Sequence, residues 1–208
     1  VRKLKIILAV LLSCCVSACI NLGPSHEINT KLYTLSVDSS AVAHAVPTGK
    51  TLRINVGEAA PSIHGNAMLY QQNDYQLKEY ALHRWSTPPV AMIVEAFENQ
   101  LTATHAFAAV VRAPMYAGLV DYQIGIELQK LQQNFVSTPG AKNDGCSQEE
   151  LAVKLIIIDM KKNKVIASQL FSQSVVAGPN APSGVGAANQ ALKKLMPQMV
   201  QFVLDSTH

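Results

Sequence analysis

The chain reads as an α/β domain with a mixed, largely antiparallel sheet and two principal amphipathic helices. Three observations predict this. Val90, Ile93, Val94, Phe97 and Leu101 recur at helical spacing behind Pro88-Pro89. Ala188, Leu192, Leu195, Met199 and Val203 do the same near the C-terminus. The segments around them alternate apolar with polar residues or run continuously apolar, as strands do. Each helix has one apolar face, so each can cover sheet.

The elements follow in order. Leu32-Tyr33-Thr34-Leu35 opens the domain as a short strand, before a loop through Pro47 and Gly49. Residues 51–56 alternate and read as a strand, and residues 59–65, with Pro61, as a loop. Met68-Leu69-Tyr70 and residues 76–85 read as a hairpin joined through Asn73-Asp74. Pro88-Pro89 suits the first turn of the first helix. Residues 108–112 form the next short strand. Tyr122, Ile124, Ile126 and Leu128 then alternate with Gln123, Gly125, Glu127 and Gln129, giving one buried and one wet face. Residues 151–159 end in Leu155-Ile156-Ile157-Ile158 and are expected as a central strand with both faces covered. Lys161-Lys162-Asn163-Lys164 is a turn, and residues 165–176 return as the antiparallel partner. Residues 178–186 read as a Pro/Gly loop. Residues 187–204 read as the closing helix, which Pro197 is expected to kink or split. There is no internal repeat of fixed period.

The N-terminal end is not part of this domain. Arg2, Lys3 and Lys5 precede an apolar run over residues 6–12, and Val16-Ser17-Ala18 leads into Cys19. This is the layout of a secretory signal peptide. Its ending has the form of a bacterial lipobox, in which the cysteine is acylated and becomes the mature N-terminus. The apolar run is shorter than the roughly 20 residues that span a bilayer. Ordinary cleavage to a soluble product would also suit Ser17 and Ala18, but it leaves Cys19 without a role. Leu11-Leu12-Ser13 before Cys14 is a weaker second match. Residue 1 is Val, which points to a non-ATG start or to a truncated chain. The expected organisation is a signal peptide over residues 1–18, a lipidated terminus and spacer over 19–30, and one domain over 31–206. Each buried methylene contributes about 0.8 kcal/mol, and stable anchoring needs more than one chain. A palmitate-bearing, triacylated Cys19 meets that need. Ile20 in place of aspartate favours the outer membrane.

Composition narrows the function classes. The chain has 17 Lys+Arg and 14 Asp+Glu. Three of the basic residues sit in the leader, so the rest of the chain balances. The pI near 8.7 therefore reflects the leader, and no charge argument remains for nucleic acid. Cys14 and Cys15 leave with the leader and Cys19 takes lipid. Cys146 remains, with no intrachain disulfide partner.

Catalytic constellations are sparse. His26, His44, His64, His83, His105 and His208 include no pair at helical ligand spacing. There is no Gly-x-Ser-x-Gly elbow and no Gly-x-x-x-x-Gly-Lys. Glu95, Glu98, Glu149 and Glu150 read as solvated faces or helix-start charges. Gly184-Val185-Gly186-Ala187-Ala188-Asn189 approaches a dinucleotide fingerprint, but Asn189 replaces the third small residue and no strand follows. It reads as a flexible loop feeding the last helix. Trp85, the only tryptophan, reads as a core plug at a strand-to-helix junction. No catalytic residue, cofactor or metal site is expected.

Together these landmarks resemble a known family. The lipobox is followed by Tyr33-Thr34-Leu35, the strand from Leu52, Tyr70, and Tyr80 leading to Trp85 with Pro88-Pro89. Asp121-Tyr122-Gln123-Ile124, Phe171 and Ala187-Ala188-Asn189-Gln190-Ala191-Leu192 complete the series. The chain resembles the ABC-type transport auxiliary lipoproteins, the PqiC-like family. Pro197 and the glutamine-rich stretch over residues 129–134 depart from the pattern.

The resemblance implies a three-layer α/β sandwich and a non-enzymatic lipoprotein at the periplasmic face of the outer membrane. It implies an MCE-domain protein and an ABC permease and ATPase as partners, in a system that moves lipids or other hydrophobic molecules. Cys19 is the one functional position that carries over. A homo-oligomer stays open. The docking surface is expected around an exposed sheet edge and residues 59–68 and 179–186. The rival reading is a periplasmic carrier lipoprotein that binds an acyl chain in an apolar cavity.

Overall fold

A single long strand organises the molecule. In the computed structural model, which describes residues 29–37, 46–55, 57–73, 75–114, 118–135 and 146–207, this strand spans Tyr122–Asn134. The chain order is β1 Lys31–Tyr33, β2 Thr51–Ile54, β3 Glu58–Ala59, β4 Ala67–Asn73, β5 Gln76–Trp85, α1 Pro89–Ala103 and β6 Ala109–Arg112. It continues through β7 Tyr122–Asn134, β8 Ser147–Asp159, β9 Lys164–Ala177 and α2 Ala181–Ser206.

β8 covers one edge of β7 along its whole length, antiparallel. The opposite edge is shared: β2, β3 and β4 dock on it one after another, all parallel. β6 extends the sheet beyond β2, while β5 and β1 extend it beyond β4. β9 closes the far side, paired only with β8. The result is the expected α/β sandwich with a mixed sheet. Its long ladders are antiparallel, and its parallel ladders are two to four residues each.

Alternation in β7 explains the core. Ile124, Ile126 and Leu128 are buried. A bulge between Leu128 and Lys130 then inserts one residue, so the buried series resumes at Leu131 and Gln133. The glutamine-rich stretch thereby continues the strand. In β8 the odd positions from Ser147 to Asp159 are buried. The expectation that both faces of this strand are covered does not hold, because Ile156 and Ile158 are only half-buried on the outward face. Both helices lie on the inward side. They touch each other as well as β7, so the helical material forms one layer.

α1 begins at Pro89, and Val90, Ile93, Val94, Phe97 and Leu101 are all buried, as the spacing predicts. Trp85 is 2% exposed and plugs the core beside it. α2 differs from its expectation at both points of interest. It starts at Ala181, so most of the expected loop over 178–186 is helix. Asn180 caps it, accepting from Ser183 N at 3.0 Å, while Asn180 N donates to Ser183 Oγ at 3.3 Å. The helix also runs unbroken through Pro197. Pro197 and Lys193, whose carbonyl loses its partner, both face solvent, where water can take the lost hydrogen bond. The buried series from Ala188 to Val203 holds the helix down on either side.

Gly57 sits where side chains of α1 press close on the backbone between β2 and β3. A Cβ there would lie 2.5 Å from Val90 Cγ2 and 2.9 Å from the Ile126 carbonyl oxygen. Backbone cannot yield as a side chain can. Gly57→Ala is therefore expected to lower unfolding free energy by about 1–3 kcal/mol, read as a fall in the urea midpoint at unchanged slope.

Candidate functional site

The most unusual chemistry lies under the first turns of α2. The paired strands β7 and β8 send Gln133 and Glu149 inward, 1% and 4% exposed. β5 brings Tyr80 alongside, and its hydroxyl donates to Gln133 Oε1 at 2.8 Å. Gln133 Nε2 donates to Ser147 Oγ at 2.7 Å and to the Gly178 carbonyl at 2.9 Å. Ser147 Oγ donates to that same carbonyl at 2.8 Å. Gly184 makes room for this seam: a Cβ on it would collide with Gln133 Oε1 and come within 3.2 Å of Glu149 Oε2.

Residue type alone puts Glu149 on a solvated face. Burial overturns that, and its carboxyl is held well above the usual range, first by desolvation and then by neighbouring Glu150. The same burial, with the Glu149 charge second, raises the Tyr80 phenol. The alternation contained the signal. Position 149 is in phase with Leu151, Val153, Leu155 and Ile157, while Glu150 is in phase with the wet face and pairs with Lys130 at 2.9 Å. Glu98 is also committed, to Arg112.

An aromatic row borders the seam. Tyr33 stacks on His83 at 5.6 Å between centroids, and its hydroxyl shares a hydrogen bond with His83 Nδ1 at 2.9 Å. Tyr80 meets His83 edge-on at 5.8 Å and Tyr70 at 4.5 Å. Phe135 closes the row against Tyr70. His83 is thus a satisfied structural residue. Asn189 of the near-fingerprint straps the segment after β1 to α2. Its side chain accepts from Ser36 N at 2.8 Å and donates to the Thr34 carbonyl at 3.1 Å.

The arrangement holds groups in place and offers no reacting pair. Ser147 lies locked between an amide and a carbonyl. Among the described residues no cluster of three His, Cys, Asp or Glu could hold a metal ion. No described helix is long and apolar enough to cross a membrane. The grooves, about 440 Å³ beside Glu58, Pro61 and Glu127 and about 490 Å³ beside Lys130, Glu150 and Leu170, have charged groups in their walls.

Cys19, the one predicted site residue, lies outside the described residues, as does the leader. Cys146 is exposed just before β8. Of the expected docking surfaces, residues 60–66 form an exposed loop around buried Ile63. Among the described residues β1, β3, β6 and β9 each pair with one strand and leave the other edge open.

Solved structures share this architecture. Protein XCC0632 from Xanthomonas campestris, of the DUF330 family, superposes with a TM-score of 0.71 at 17% identity, covering 85% of this chain and 96% of that one. An uncharacterized protein superposes with a TM-score of 0.61 at 11% identity, covering 84% of this chain and 99% of its own. At such identities the likeness concerns the fold. No curated protein has a matching sequence. The family model described as ABC-type transport auxiliary lipoprotein component matches residues 33–200. That match takes in β2 to β9, α1, the polar seam and α2 as far as Val200, and the chain belongs to the ABC-type transport auxiliary lipoprotein component family.

Proposed function

We propose that this auxiliary transport lipoprotein is a non-enzymatic component anchored to the outer membrane through acylated Cys19. It serves an MCE/ABC-type system that moves lipids or other hydrophobic molecules across the bacterial envelope. The observation that carries the reading is the family match from residue 33, set a short spacer after a cysteine with lipobox form. The family is an auxiliary transport component, which supports a docking role over catalysis. The locked state of Ser147, Gln133 and Tyr80 favours the same view, since groups bonded to one another beneath a helix are not poised for substrate. In this reading residues 1–18 are removed, 19–30 are tether, and 31–206 form the docking domain. The anchor also raises the local concentration of the domain at its partner.

The experiment is affinity purification of the full chain from native membranes solubilised in mild detergent. An MCE-domain protein with an ABC permease and ATPase is expected in the eluate. Cys19→Ala is expected to abolish palmitate labelling and to reduce recovery of these partners. Recovery of the labelled chain without any of them would contradict the transport role.

A further inference from the structure

Five strand ends lie side by side at one end of the sheet: β6, β2, β7 and β9 begin there, and β8 stops there. Backbone hydrogen bonds tie them into a row. Ala108 N donates to the Lys50 carbonyl, Asp121 N to the Thr51 carbonyl and Met160 N to the Asp121 carbonyl, at 2.8, 3.1 and 2.9 Å. Leu119, two residues before Asp121, is fully exposed. A bulge at Ile166 lies between the pairs Ile157–Ala167 and Ile158–Val165. It leaves two successive apolar side chains exposed, Val165 at 52% and Ile166 at 38%. Four lysines stand among these groups. Lys161 pairs with Asp121 at 2.8 Å and Lys162 with Asp159 at 3.3 Å. Asp159 Oδ1 also accepts from Lys161 N and Lys162 N at 3.0 Å each, so the turn that carries them is held in shape. Among the described residues no carboxylate pairs with Lys50 or Lys164. This end therefore carries unbalanced positive charge beside uncovered aliphatic surface.

The direction of the chain points to the occupant. β1 is parallel to β5, β5 is antiparallel to β4, and β4 is parallel to β7. β1 thus runs against β7, and the chain enters it from the end of the sheet opposite the lysines. The 13 residues of β7 separate the two ends by about 40 Å, at about 3.3 Å each. The chain from Cys19 to Lys31 reaches at most about 40 Å when fully extended and about 20 Å as a relaxed coil. With Cys19 acylated, the lysine end touches the anchoring leaflet only if that tether is drawn out almost to its limit. Its natural partner is then a protein beyond the leaflet, not an anionic lipid surface. We propose that this end of the sheet docks an acidic segment of the transport partner, whose carboxylates meet Lys50 and Lys164 while its apolar side chains cover Leu119 and Val165. The inference rests on the transport reading for the identity of the partner and on the acylated anchor for the direction of this end.

The test is photocross-linking of the full chain in native membranes, with the photoreactive analogue benzoylphenylalanine in place of Leu119. The expected adduct joins that position to a partner peptide rich in Asp and Glu. Lys50→Gln with Lys164→Gln should lower its yield about tenfold at low ionic strength. Lys50→Arg with Lys164→Arg should preserve it. Palmitate labelling and circular dichroism should be unchanged in both variants. Adducts with lipid, with a second copy of this chain or with a segment poor in acidic residues would overturn the proposal. So would a yield that the glutamine variant leaves unchanged. The two readings fail separately. Co-purification of the MCE-domain and ABC proteins without an adduct at position 119 overturns the docking surface alone. An adduct with an acidic segment of some other protein supports the surface and contradicts the transport reading.

Discussion

Glu149→Gln is expected to stabilise the domain at neutral pH and to flatten the pH dependence of its unfolding. Glu149 is 4% exposed, and burial holds its carboxyl well above the ordinary value of 4.5. In the unfolded chain the group returns to that ordinary value. Between the two values the folded state holds a proton that the unfolded state has lost. Stability therefore falls as pH rises above about 4.5, by about 1.4 kcal/mol per unit, until the folded carboxyl itself ionises. Glutamine keeps the shape and carries no titrating proton, so that slope should vanish. Acidic conditions act in the opposite sense through Asp121. Its hydrogen bonds with Lys161 and Thr51 pull it down to about 2, so its contribution is present above the ordinary carboxylate range and lost as pH falls toward 2. Wild-type protein should accordingly be most stable in mild acid. Urea midpoints at pH 5 and pH 8 check both statements, and equal midpoints in wild type would contradict the buried position of Glu149.

Phe97→Ala should produce the largest loss of stability among single core substitutions in α1. The ring is fully buried on the helix face turned toward the sheet. Truncation removes the transfer free energy of the ring and leaves a cavity that a closely packed layer cannot refill, at about 3–5 kcal/mol. Against a typical domain stability of about 5–15 kcal/mol, that is at least about a fifth of the total. Phe97→Leu should recover most of it. The urea midpoint reads the effect, and a midpoint shared with wild type would mean that α1 is not seated as described.

Much of this fold is legible in order and period. The helix face from Val90 to Leu101 and the β4–β5 hairpin require no tertiary information, because one buried side imposes the period directly. The remainder depends on neighbours. Gly184 and Gly186 read as loop residues locally, yet Asn180 caps a helix there, and Gln133 needs the space that Gly184 leaves. Pro197 reads as a breaker, yet its exposed side and the buried series around it let the helix pass. Residue type sends Glu149 to the surface, while the phase of β8 assigns it to the core. Parallel docking of β2, β3 and β4 along one edge of β7 has no local signature, since each contact joins segments far apart in sequence.

The central claim is that an acylated cysteine tethers this domain to the bacterial envelope. Intact-mass analysis of the protein isolated from its native membranes tests it most directly. The expected product is a chain beginning at Cys19 with the added mass of a diacylglyceryl group and an amide-linked acyl chain. A chain with an unmodified amino terminus, recovered from the soluble fraction, would contradict it.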